Sequence, residues 1–494
     1  TSDPAFKELL EAKVQADADA HYGSDRPKNY FWPSPVPNAT PPKQFTESNP
    51  FTYTFCWHAE PPFIVWHRAL TAEFERLLQT YDPQNVFPDG SSRHSGPGAL
   101  GVVYWAWEAW DGQTLPVQIA FPTYTIRSTK WEGYPQGSSF ANPFYRWFAP
   151  VSVEEQVAEY FPPQLTDQNC STRALAFTDP SVPNDLSWAL HSTPGHPAMW
   201  DVVNTAIAQP DFKLFATVKA GYGSAQWSIE NAHNKFHNHM GGYTLGGIQG
   251  PGTQVFGDDS EDPNYFTGTM AQNQSIYDPV FWLHHGNVER QLCSWQAQWY
   301  PDGKPATKES QPPEELMKTM LYPWTTPQLL AEGKCAYNTP VGDGNTGTFA
   351  DWFNYDLPYE YEKLLEPLVP LQHASDAVPR PMLPTAHPLR AAAAAALKAA
   401  PLAHHKRVML AAHLKNGLRG GEFTLLDGDT AVANISILSA LGSGCSRCAS
   451  RAKLLEFDVS HHLKEADLEH AKGRLSIQRA GRTVPVTDWS ISLR

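Results

Sequence analysis

Two stretches of this chain carry histidines at spacings that suit a metal ion. His233 and His237 stand four residues apart in NAHNKFHNHMGG, and His58 and His67 lie in CWHAEPPFIVWHRALTAEFERLL. On an α-helix, residues i and i+4 lie one above the other, so two imidazoles can converge on one ion. The pair alone is weak, because 19 histidines in 494 residues give about one His-x-x-x-His by chance. A metal site therefore needs imidazoles from further elements.

Three predicted helices can supply them. One helix begins near Pro61 and Pro62, one ends at Gly241-Gly242, and one begins with Asp278 as N-cap and Pro279 at its first position. Their apolar stripes are Phe63-His67-Leu70-Phe74-Leu77, Ile229-His233-Phe236-Met240 and Phe281-His285-Val288-Leu292-Trp295. Periodicity accepts His284 almost as well as His285. For each histidine, the alternative is a buried core residue with an ordinary hydrogen bond.

The donor set limits the choice of metal. Imidazoles without a thiolate quartet or a carboxylate cluster suit Cu, Zn, Fe or Ni. Neither a His-Glu-x-x-His pattern nor a pair of histidines with one carboxylate occurs around these residues, which disfavours a zinc protease and a non-haem iron oxygenase. Copper is favoured by elimination.

Composition narrows the partners. A net charge of -14 and a pI near 5.7 argue against nucleic acid and anionic membranes, since neither meets a basic surface. The 17 tryptophans predict a dense core with aromatic-lined pockets for small or neutral partners. No apolar stretch is long enough to predict a membrane span. Six cysteines are too few for a disulfide scaffold, and the compartment, cytoplasmic or secreted, stays open.

The chain divides into parts of different texture. Residues 1–363 are rich in amphipathic helical patterns with long connections and contain no internal repeat, whereas 364–403 carry many prolines and an alanine run. The latter predicts a linker, with an ordinary surface loop as the alternative. Short apolar alternations in 404–494 predict a small β domain. We expect a mainly α protein: a helix bundle with long loops, followed by a small C-terminal β-sandwich.

The conjunction of these patterns resembles the type 3 copper proteins, which comprise tyrosinases, catechol oxidases and hemocyanins. The residues that carry the resemblance are Cys56-x-His58, His67-Arg68, His233-x3-His237 and Asp278-Pro-x-Phe281-x3-His285. VYWAWEAWD at 103–111 and PYEY at 358–361 are similar to further stretches of the family. The match spans roughly 21–361 and is most like fungal pro-tyrosinases and polyphenol oxidases.

The resemblance implies two copper ions, each held by three histidines of an antiparallel helix bundle, with O2 as co-substrate. It assigns His233, His237 and His285 to the second copper. The first copper takes His58, His67 and one more; His21 is the only histidine upstream of His58. Glu289 stands where the family usually has Asp, and we expect it to keep a helix-orienting role.

Further residues acquire expected roles from the resemblance. Cys56 matches the position that forms a thioether with the ring of His58 in fungal tyrosinases, the alternative being a buried free thiol. Glu230 and Asn234 match a pair that holds a water able to accept a phenol proton; the alternative is two helix-surface residues. Cys445 and Cys448 form a lone C-x-x-C, which suits a disulfide, a redox pair or transient copper transfer.

The expected function is that of a tyrosinase-like polyphenol oxidase that hydroxylates monophenols and oxidises o-diphenols to o-quinones. A catechol oxidase or o-aminophenol oxidase is the first alternative, and a hemocyanin-like oxygen carrier is the second. The absence of repeated units weighs against a carrier. We expect small phenols and O2 as partners, a possible homo-oligomer, and a latent enzyme whose β domain covers the copper site.

Overall fold

The computed structural model describes fifteen segments of the chain and several isolated residues. The segments are 57–81, 101–110, 115–125, 136–142, 144–145, 197–219, 225–241, 278–321, 347–355, 361–365, 408–414, 421–437, 454–460, 468–479 and 482–493. Positions 254–255, 266–267, 270, 275, 324, 357 and 462 are also described. We call 57–365 the helical region and 408–493 the β region.

The helical region is built mainly from helices with small strand pairs. Its helices are α1 (Phe63–Tyr81), α2 (Val117–Ala120), α3 (Met199–Ile207), α4 (Phe212–Ala216), α5 (Ile229–Gly241), α6 (Pro279–Trp299), α7 (Glu314–Met317) and α8 (Phe349–Phe353). Its strands form the antiparallel pairs β1 (Thr123–Thr125) with β2 (Ser139–Ala141) and β3 (Gln254–Val255) with β4 (Phe266–Thr267). None of the described helices has the length and apolar character that a membrane span requires.

The three helices with inward histidines begin where the sequence predicts. Helix α1 starts directly after Pro61 and Pro62, whose fixed φ suits a first turn. Helix α6 starts at Pro279, and its N-cap Asp278 accepts a hydrogen bond from the Val280 amide at 3.0 Å. At the start of α5, the Ser228 hydroxyl oxygen accepts from the Asn231 amide at 3.2 Å.

Burial of the apolar stripes joins these helices into one core. Phe63, Phe236, Val288 and Trp295 are each fully buried, and helix α1 packs directly against α6. A close backbone approach is built in at Gly286, where a Cβ atom would lie 2.9 Å from the carbonyl oxygen of Val103. A glycine at this position lets α6 approach the backbone of the segment that carries Val103.

The β region contains two antiparallel sheets. One has the order β10 (Arg482–Val484), β9 (Leu475–Arg479), β6 (Gly421–Asp427), β7 (Thr430–Ile437), and the other the order β11 (Val486–Leu493), β5 (Val408–Leu414), β8 (Leu454–Asp458). A short helix, α9 (Leu468–Ala471), precedes β9. Among the strands that the structure describes, β7 therefore lies at the edge of the four-stranded sheet.

The two sheets share a hydrophobic cluster that includes Leu410, Phe423, Ile435 and Phe457. Val218 of the helical region belongs to the same cluster, so the two regions are in contact. The expected combination of a helical part with a C-terminal β part is confirmed in outline. The finer boundaries at 363 and 404 and a closed sandwich stay predictions, since 366–407 lie outside the described residues.

Candidate metal centre

Six histidines converge inside the helical region. His58 lies in the loop before α1, and His67 lies on α1 itself. Potential ligand atoms of His58, His67 and His233 all lie within 4.8 Å of one another, and the same holds for His233, His237, His284 and His285. The expected histidines thus meet in one place, with His284 in addition. His21 lies outside the described residues.

The first group is formed by the loop histidine, the α1 histidine and one histidine of α5. The ring centroid of His58 lies 5.4 Å from that of His67 and 5.6 Å from that of His233, and His67 lies 5.5 Å from His233. His233 is therefore shared between the two groups. The further ligand expected for the first group, His21, stays a prediction.

The two adjacent histidines of α6 occupy different positions in the second group. The His285 ring stacks on His67 at 4.5 Å and so lies between the two groups. The His284 ring instead stacks on Phe236 at 4.2 Å, although it also lies 4.7 Å from His237. The His285 ring likewise lies 4.0 Å from Phe281, so both histidines remain members of the second group, and the choice of His285 as the ligand stays a prediction.

Three imidazoles are oriented by hydrogen bonds at Nδ1. The Nδ1 atom of His67 lies 2.8 Å from the Phe63 carbonyl oxygen, and that of His237 lies 2.6 Å from the Met270 carbonyl oxygen. A carbonyl can only accept, so Nδ1 carries the proton in both rings and Nε2 keeps its lone pair. In His233, Nδ1 lies 2.9 Å from Asn234 Oδ1.

The remaining ring nitrogens point into the cluster. Within the described part of the chain, Nε2 of His233 and of His237 and both ring nitrogens of His284 and of His285 are buried without a hydrogen-bond partner. A buried polar atom without a partner costs free energy, so such atoms call for an explanation. A metal ion that accepts their lone pairs supplies one.

The environment also keeps the imidazoles neutral, which is the form that binds metals. Burial, with repulsion from neighbouring histidines, holds the pKa of His58, His233, His284 and His285 well below its ordinary value. Burial lowers the pKa of His67 to about 3 and that of His237 to about 4, against their backbone hydrogen bonds. Uncharged, inward-facing imidazoles without thiolate ligands fit copper.

The loop that carries His58 is held in an unusual conformation. Ala59 has a φ of 54°, in the left-handed region that non-glycine residues rarely adopt. Its amide donates to Glu230 Oε1 on α5 at 2.5 Å. The other carboxylate oxygen of Glu230 accepts from the Thr217 hydroxyl at 2.8 Å and the Val218 amide at 3.0 Å. Glu230 therefore anchors the backbone beside His58, an expected metal ligand.

Burial dominates the electrostatics of that carboxyl group. It raises the pKa of Glu230 to about 8, although the hydrogen bonds from Ala59, Val218 and Thr217 act in the opposite direction. Near neutral pH the group thus holds its proton more tightly than an exposed carboxyl does. Asn234, one turn further along α5, binds His233 through Oδ1 and the Ser436 carbonyl of β7 through Nδ2 at 2.9 Å.

The VYWAWEAWD and PYEY stretches, which accompany the histidine pattern in the sequence, also meet at α6. Glu289 forms a buried ion pair with Arg68 of α1 at 3.3 Å. The hydroxyl of Tyr361 lies 2.9 Å from Glu289 Oε2, and its ring lies 5.6 Å from that of Tyr104. Glu289 thereby ties α6 to α1 and to the Tyr361 segment, as its expected orienting role requires.

Some residues of the centre escape sequence reasoning. Glu108 is fully buried and accepts hydrogen bonds from Asn287 at 2.5 Å and from Arg290 at 3.0 Å, beside the second group. It lies in the VYWAWEAWD stretch, but nothing in its spacing distinguishes it. Asn231 and Asn238 share a helical spacing with Asn234, a signal that periodicity could have revealed. Cys56, Cys445 and Cys448 lie outside the described residues.

The fold and the histidine cluster define the class to which the protein belongs, that of the type 3 copper proteins. The model of the common central domain of tyrosinase matches residues 29–298, more than half of the chain. The chain belongs to the tyrosinase family, whose members use a dinuclear copper centre.

Curated relatives are distant. A tyrosinase of Streptomyces glaucescens is 26% identical over 242 residues, which cover 48% of this chain and 64% of the relative. Grixazone synthase of Streptomyces griseus is 24% identical over 320 residues, covering 62% of this chain and 81% of the relative. A hemocyanin of Enteroctopus dofleini is 25% identical, but the match covers only 6% of its length. The chain thus spans less than two thirds of the Streptomyces glaucescens tyrosinase.

Solved structures show a similar fold. Aspergillus oryzae pro-tyrosinase aligns with a TM-score of 0.52 at 15% identity, over 99% of this chain and 89% of that one. Deoxygenated hemocyanin from Rapana thomasiana aligns with a TM-score of 0.50 at 16% identity, over 100% and 96%. The fold is therefore common to enzymes and oxygen carriers and does not itself separate the two activities.

Proposed function

We propose that this protein is a tyrosinase-like polyphenol oxidase that hydroxylates monophenols and oxidises o-diphenols to o-quinones with O2. The observation that supports it is the buried cluster of neutral imidazoles whose potential ligand atoms converge, three of which (His67, His233 and His237) contact other groups through Nδ1. Its position in the tyrosinase family and the absence of repeated units favour an enzyme over a carrier.

Two copper ions would be held by the six histidines that the family pattern assigns. When bound, the copper pair supplies the site at which O2 is activated for phenol oxidation. The ligands are His21, His58 and His67 for the first ion and His233, His237 and His285 for the second. His21→Ala should remove about one copper per chain, because the sequence has no other histidine before His58. Full copper content in this variant would refute that assignment.

The chain's own contribution to the reaction is to remove the phenol proton. A phenol near pKa 10 must be deprotonated before it can act as a phenolate ligand. We assign this step to Glu230, acting through a water held together with Asn234. A carboxylate whose pKa lies near 8 is a better base for a phenol than an ordinary carboxylate, since the two pKa values are closer.

Substitution of Glu230 or Asn234 should separate monophenol hydroxylation from diphenol oxidation. Glu230→Gln and Asn234→Ala should lower monophenol hydroxylation about 10-fold or more relative to diphenol oxidation. Glu60→Gln is the matched control, because Glu60 is a neighbouring buried carboxylate that pairs with Lys219 at 2.7 Å and has no assigned role. Equal losses on both substrates would point to a purely structural role for Glu230 and Asn234.

O2 uptake distinguishes the candidate activities. Copper-loaded protein should consume O2 with L-tyrosine and with catechol. Uptake with catechol or with an o-aminophenol but not with L-tyrosine would favour the narrower oxidases. The o-aminophenol substrate is included because an o-aminophenol oxidase is one of the alternatives that the sequence leaves open. Reversible O2 binding without substrate turnover would establish the oxygen carrier.

Latency is the second part of the proposal. We infer a catalytic domain at 1–363, a linker at 364–403 and a β lid at 404–494. The contact between β7 and α5, which carries His233 and His237, supports this arrangement. Cleavage within 364–403, verified by mass, should raise the rate of catechol oxidation. Equal rates before and after cleavage would refute latency.

The cysteines carry two smaller proposals. Cys56 is joined to the His58 ring, so the peptide containing both should be about 2 Da lighter, for the two hydrogens lost, and resist alkylation. An alkylatable Cys56 in active protein would contradict the bond. Cys445 and Cys448 serve copper transfer or form a disulfide. Unchanged copper loading in Cys445→Ser/Cys448→Ser would leave only the disulfide or a redox pair.

A further inference from the structure

Helix α5 presents a row of side-chain amides on a face separate from its histidines. Asn231, Asn234 and Asn238 follow one another at spacings of three and four residues, which places them along one face of a helix. Each is almost fully buried. Because buried amides need hydrogen-bond partners, the row must face a polar surface.

The partner is the backbone of edge strand β7. The Ser436 amide donates to Asn231 Oδ1 at 2.7 Å, and the Ser436 carbonyl accepts from Asn234 Nδ2 at 2.9 Å. The Ile437 carbonyl accepts from Asn238 Nδ2 at 3.2 Å. All three contacts use main-chain atoms of β7, so the helix recognises the backbone of the strand edge and not the side chains of β7.

The pairing of β7 with β6 explains why the main-chain groups of Ser436 are available, whereas Ile437 is the last residue of the strand. Ser436 lies opposite Glu422 in an antiparallel ladder. Both its amide and its carbonyl point to α5, so this residue occupies a position whose main-chain groups face away from β6. Its neighbour Ile435, opposite Phe423, directs its groups to β6. Unpaired edge groups of this kind require a cover, and the amide row provides it.

A charged contact lies beside the row. Lys235 Nζ is 3.6 Å from Glu422 Oε1, and His239 Nε2 is 3.8 Å from Glu422 Oε2. Glu422 is the residue directly opposite Ser436, so the ion pairs and the amides contact the same short segment of the sheet. The docking area therefore combines main-chain recognition with charge complementarity.

The same contact fixes the chemistry of a metal ligand. The Ser436 carbonyl can only accept, so it requires that Nδ2 of Asn234 face β7. The Oδ1 atom of Asn234 must then face His233, and His233 Nδ1 must donate to it. Nε2 of His233 is left with its lone pair toward the other imidazoles. Strand β7 thus influences the tautomer of His233 through the side-chain amide of Asn234.

We propose that the amide row of α5 is a docking surface for a β-strand edge, that its occupant is residues 436–437 of this chain, and that this docking holds the β region over the centre. Asn231 and Asn238 hold the edge of β7 by hydrogen bonds, and Asn234 couples this contact to His233. The docking follows from the contacts alone, whereas its effect on activity rests on the proposed phenol oxidase.

The experiment uses the intact, copper-loaded chain and amide hydrogen exchange. Asn231→Ala removes the acceptor of the Ser436 amide without altering the β region itself. Exchange at Ser436 should become about 10-fold faster or more, while exchange at Ile435, which pairs with β6, stays unchanged. Unchanged protection of Ser436 would overturn the docking proposal.

Two substitutions at one position test the strand side. Ser436→Pro deletes the amide that donates to Asn231 and spares the β6 ladder, because proline is tolerated where an edge amide faces outward. Ser436→Ala is its matched control, since it keeps the backbone. Catechol oxidation by the intact chain should rise about 10-fold in Asn231→Ala and in Ser436→Pro, and stay at the wild-type rate in Ser436→Ala.

The outcomes separate the two proposals. Faster exchange at Ser436 without any gain of activity would leave the docking surface standing and refute its inhibitory role. A gain of catechol oxidation in Ser436→Ala equal to that in Ser436→Pro would show that α5 recognises the Ser436 side chain. This result would contradict recognition of the main chain. In a double-mutant cycle, additive effects of Asn231→Ala and Ser436→Pro would show that the two positions do not interact. This result would refute the proposed contact between Asn231 and the strand edge.

Discussion

The two groups of histidines differ in how the chain positions them. The second group comes from two long helices, with His233 and His237 on α5 and His284 and His285 on α6. The first group combines His67 on α1 with His58, which lies in a loop. A helix fixes its side chains by periodicity, whereas a loop residue is placed only by what holds the loop.

For His58, the loop is held by a contact between residues distant in sequence. Ala59 adopts a positive φ, which costs about 1 kcal/mol or more for a non-glycine residue. Glu230 on α5 accepts the Ala59 amide and so compensates part of that cost. The helix that carries the second group therefore also builds the first, and the two groups are coupled through α5.

The largest effect should come from the ligands of the second group. His285→Ala should lower the copper content from about two ions to about one and abolish O2 uptake, because the ring lies between both groups. His284→Ala is the matched control and should retain both ions, since its ring packs on Phe236. Copper analysis by mass spectrometry measures this. The reverse outcome would exchange the roles of the two histidines.

The next effect is a pH dependence of stability in the copper-free protein. Glu230 has a pKa near 8 in the folded protein and near 4.5 when exposed. Between these values the folded state holds a proton that the unfolded state has lost. The free energy of unfolding should therefore fall as pH rises, by up to about 1.4 kcal/mol per pH unit from this group.

Urea unfolding of copper-free protein between about pH 5 and pH 8 measures this slope. The stabilisation from the Glu230 proton is complete below the pKa of this group in the unfolded state. It is lost as the pH rises through the pKa of the group in the folded state. Glu230→Gln is neutral throughout, so its slope should be smaller than that of the wild type. An identical slope in the two proteins would show that Glu230 is ionised in the folded state.

Loss of the loop anchor should affect the first group more than the second. Glu230→Ala should weaken copper binding by one site about 10- to 100-fold, as is typical for residues that orient a ligand. Glu75→Ala is the matched control, because Glu75 is a buried carboxylate that accepts the Val102 amide at 3.2 Å, outside the His58 loop. Chelator competition should show one weakened copper in Glu230→Ala and none in Glu75→Ala.

The smallest effect should follow from a hydroxyl beside the second group. Tyr361→Phe removes the donor that lies 2.9 Å from Glu289 and 3.0 Å from the Gly286 carbonyl. The ion pair of Glu289 with Arg68 remains, so we expect a loss of only about 1 kcal/mol in stability, with copper content unchanged. Thermal unfolding measures the loss. A loss of copper in this variant would mean that Tyr361 positions His285.

The sequence predicts the helix-borne part of the centre well. The described side chains of the stripes through His67, His233 and His285 are buried, except for the partly buried Phe74, and α6 begins at Pro279 after its N-cap Asp278 as expected. These features are local, since the hydrogen bonds and caps of a helix join residues close in sequence. The alternation in the C-terminal part likewise predicts strands, because a half-buried strand repeats every second residue.

Other features depend on residues far apart in the chain. Periodicity leaves His284 and His285 equivalent, and only the packing of one ring on Phe236 and of the other on His67 distinguishes them. Likewise, no spacing reveals that Glu230 accepts the amide of Ala59, 171 positions away. Such pairs follow from the way the helices pack, which local propensity does not encode.

The sequence by itself determined which residue types could bind copper and on which helices most of them lie, because residue type and helical period are local properties. Only the tertiary structure decided that Glu230 holds the His58 loop and that Asn234 joins His233 to the Ser436 carbonyl of β7, 202 positions away. These contacts satisfy buried polar groups, and a buried group can take any suitable partner that packing brings within about 3 Å.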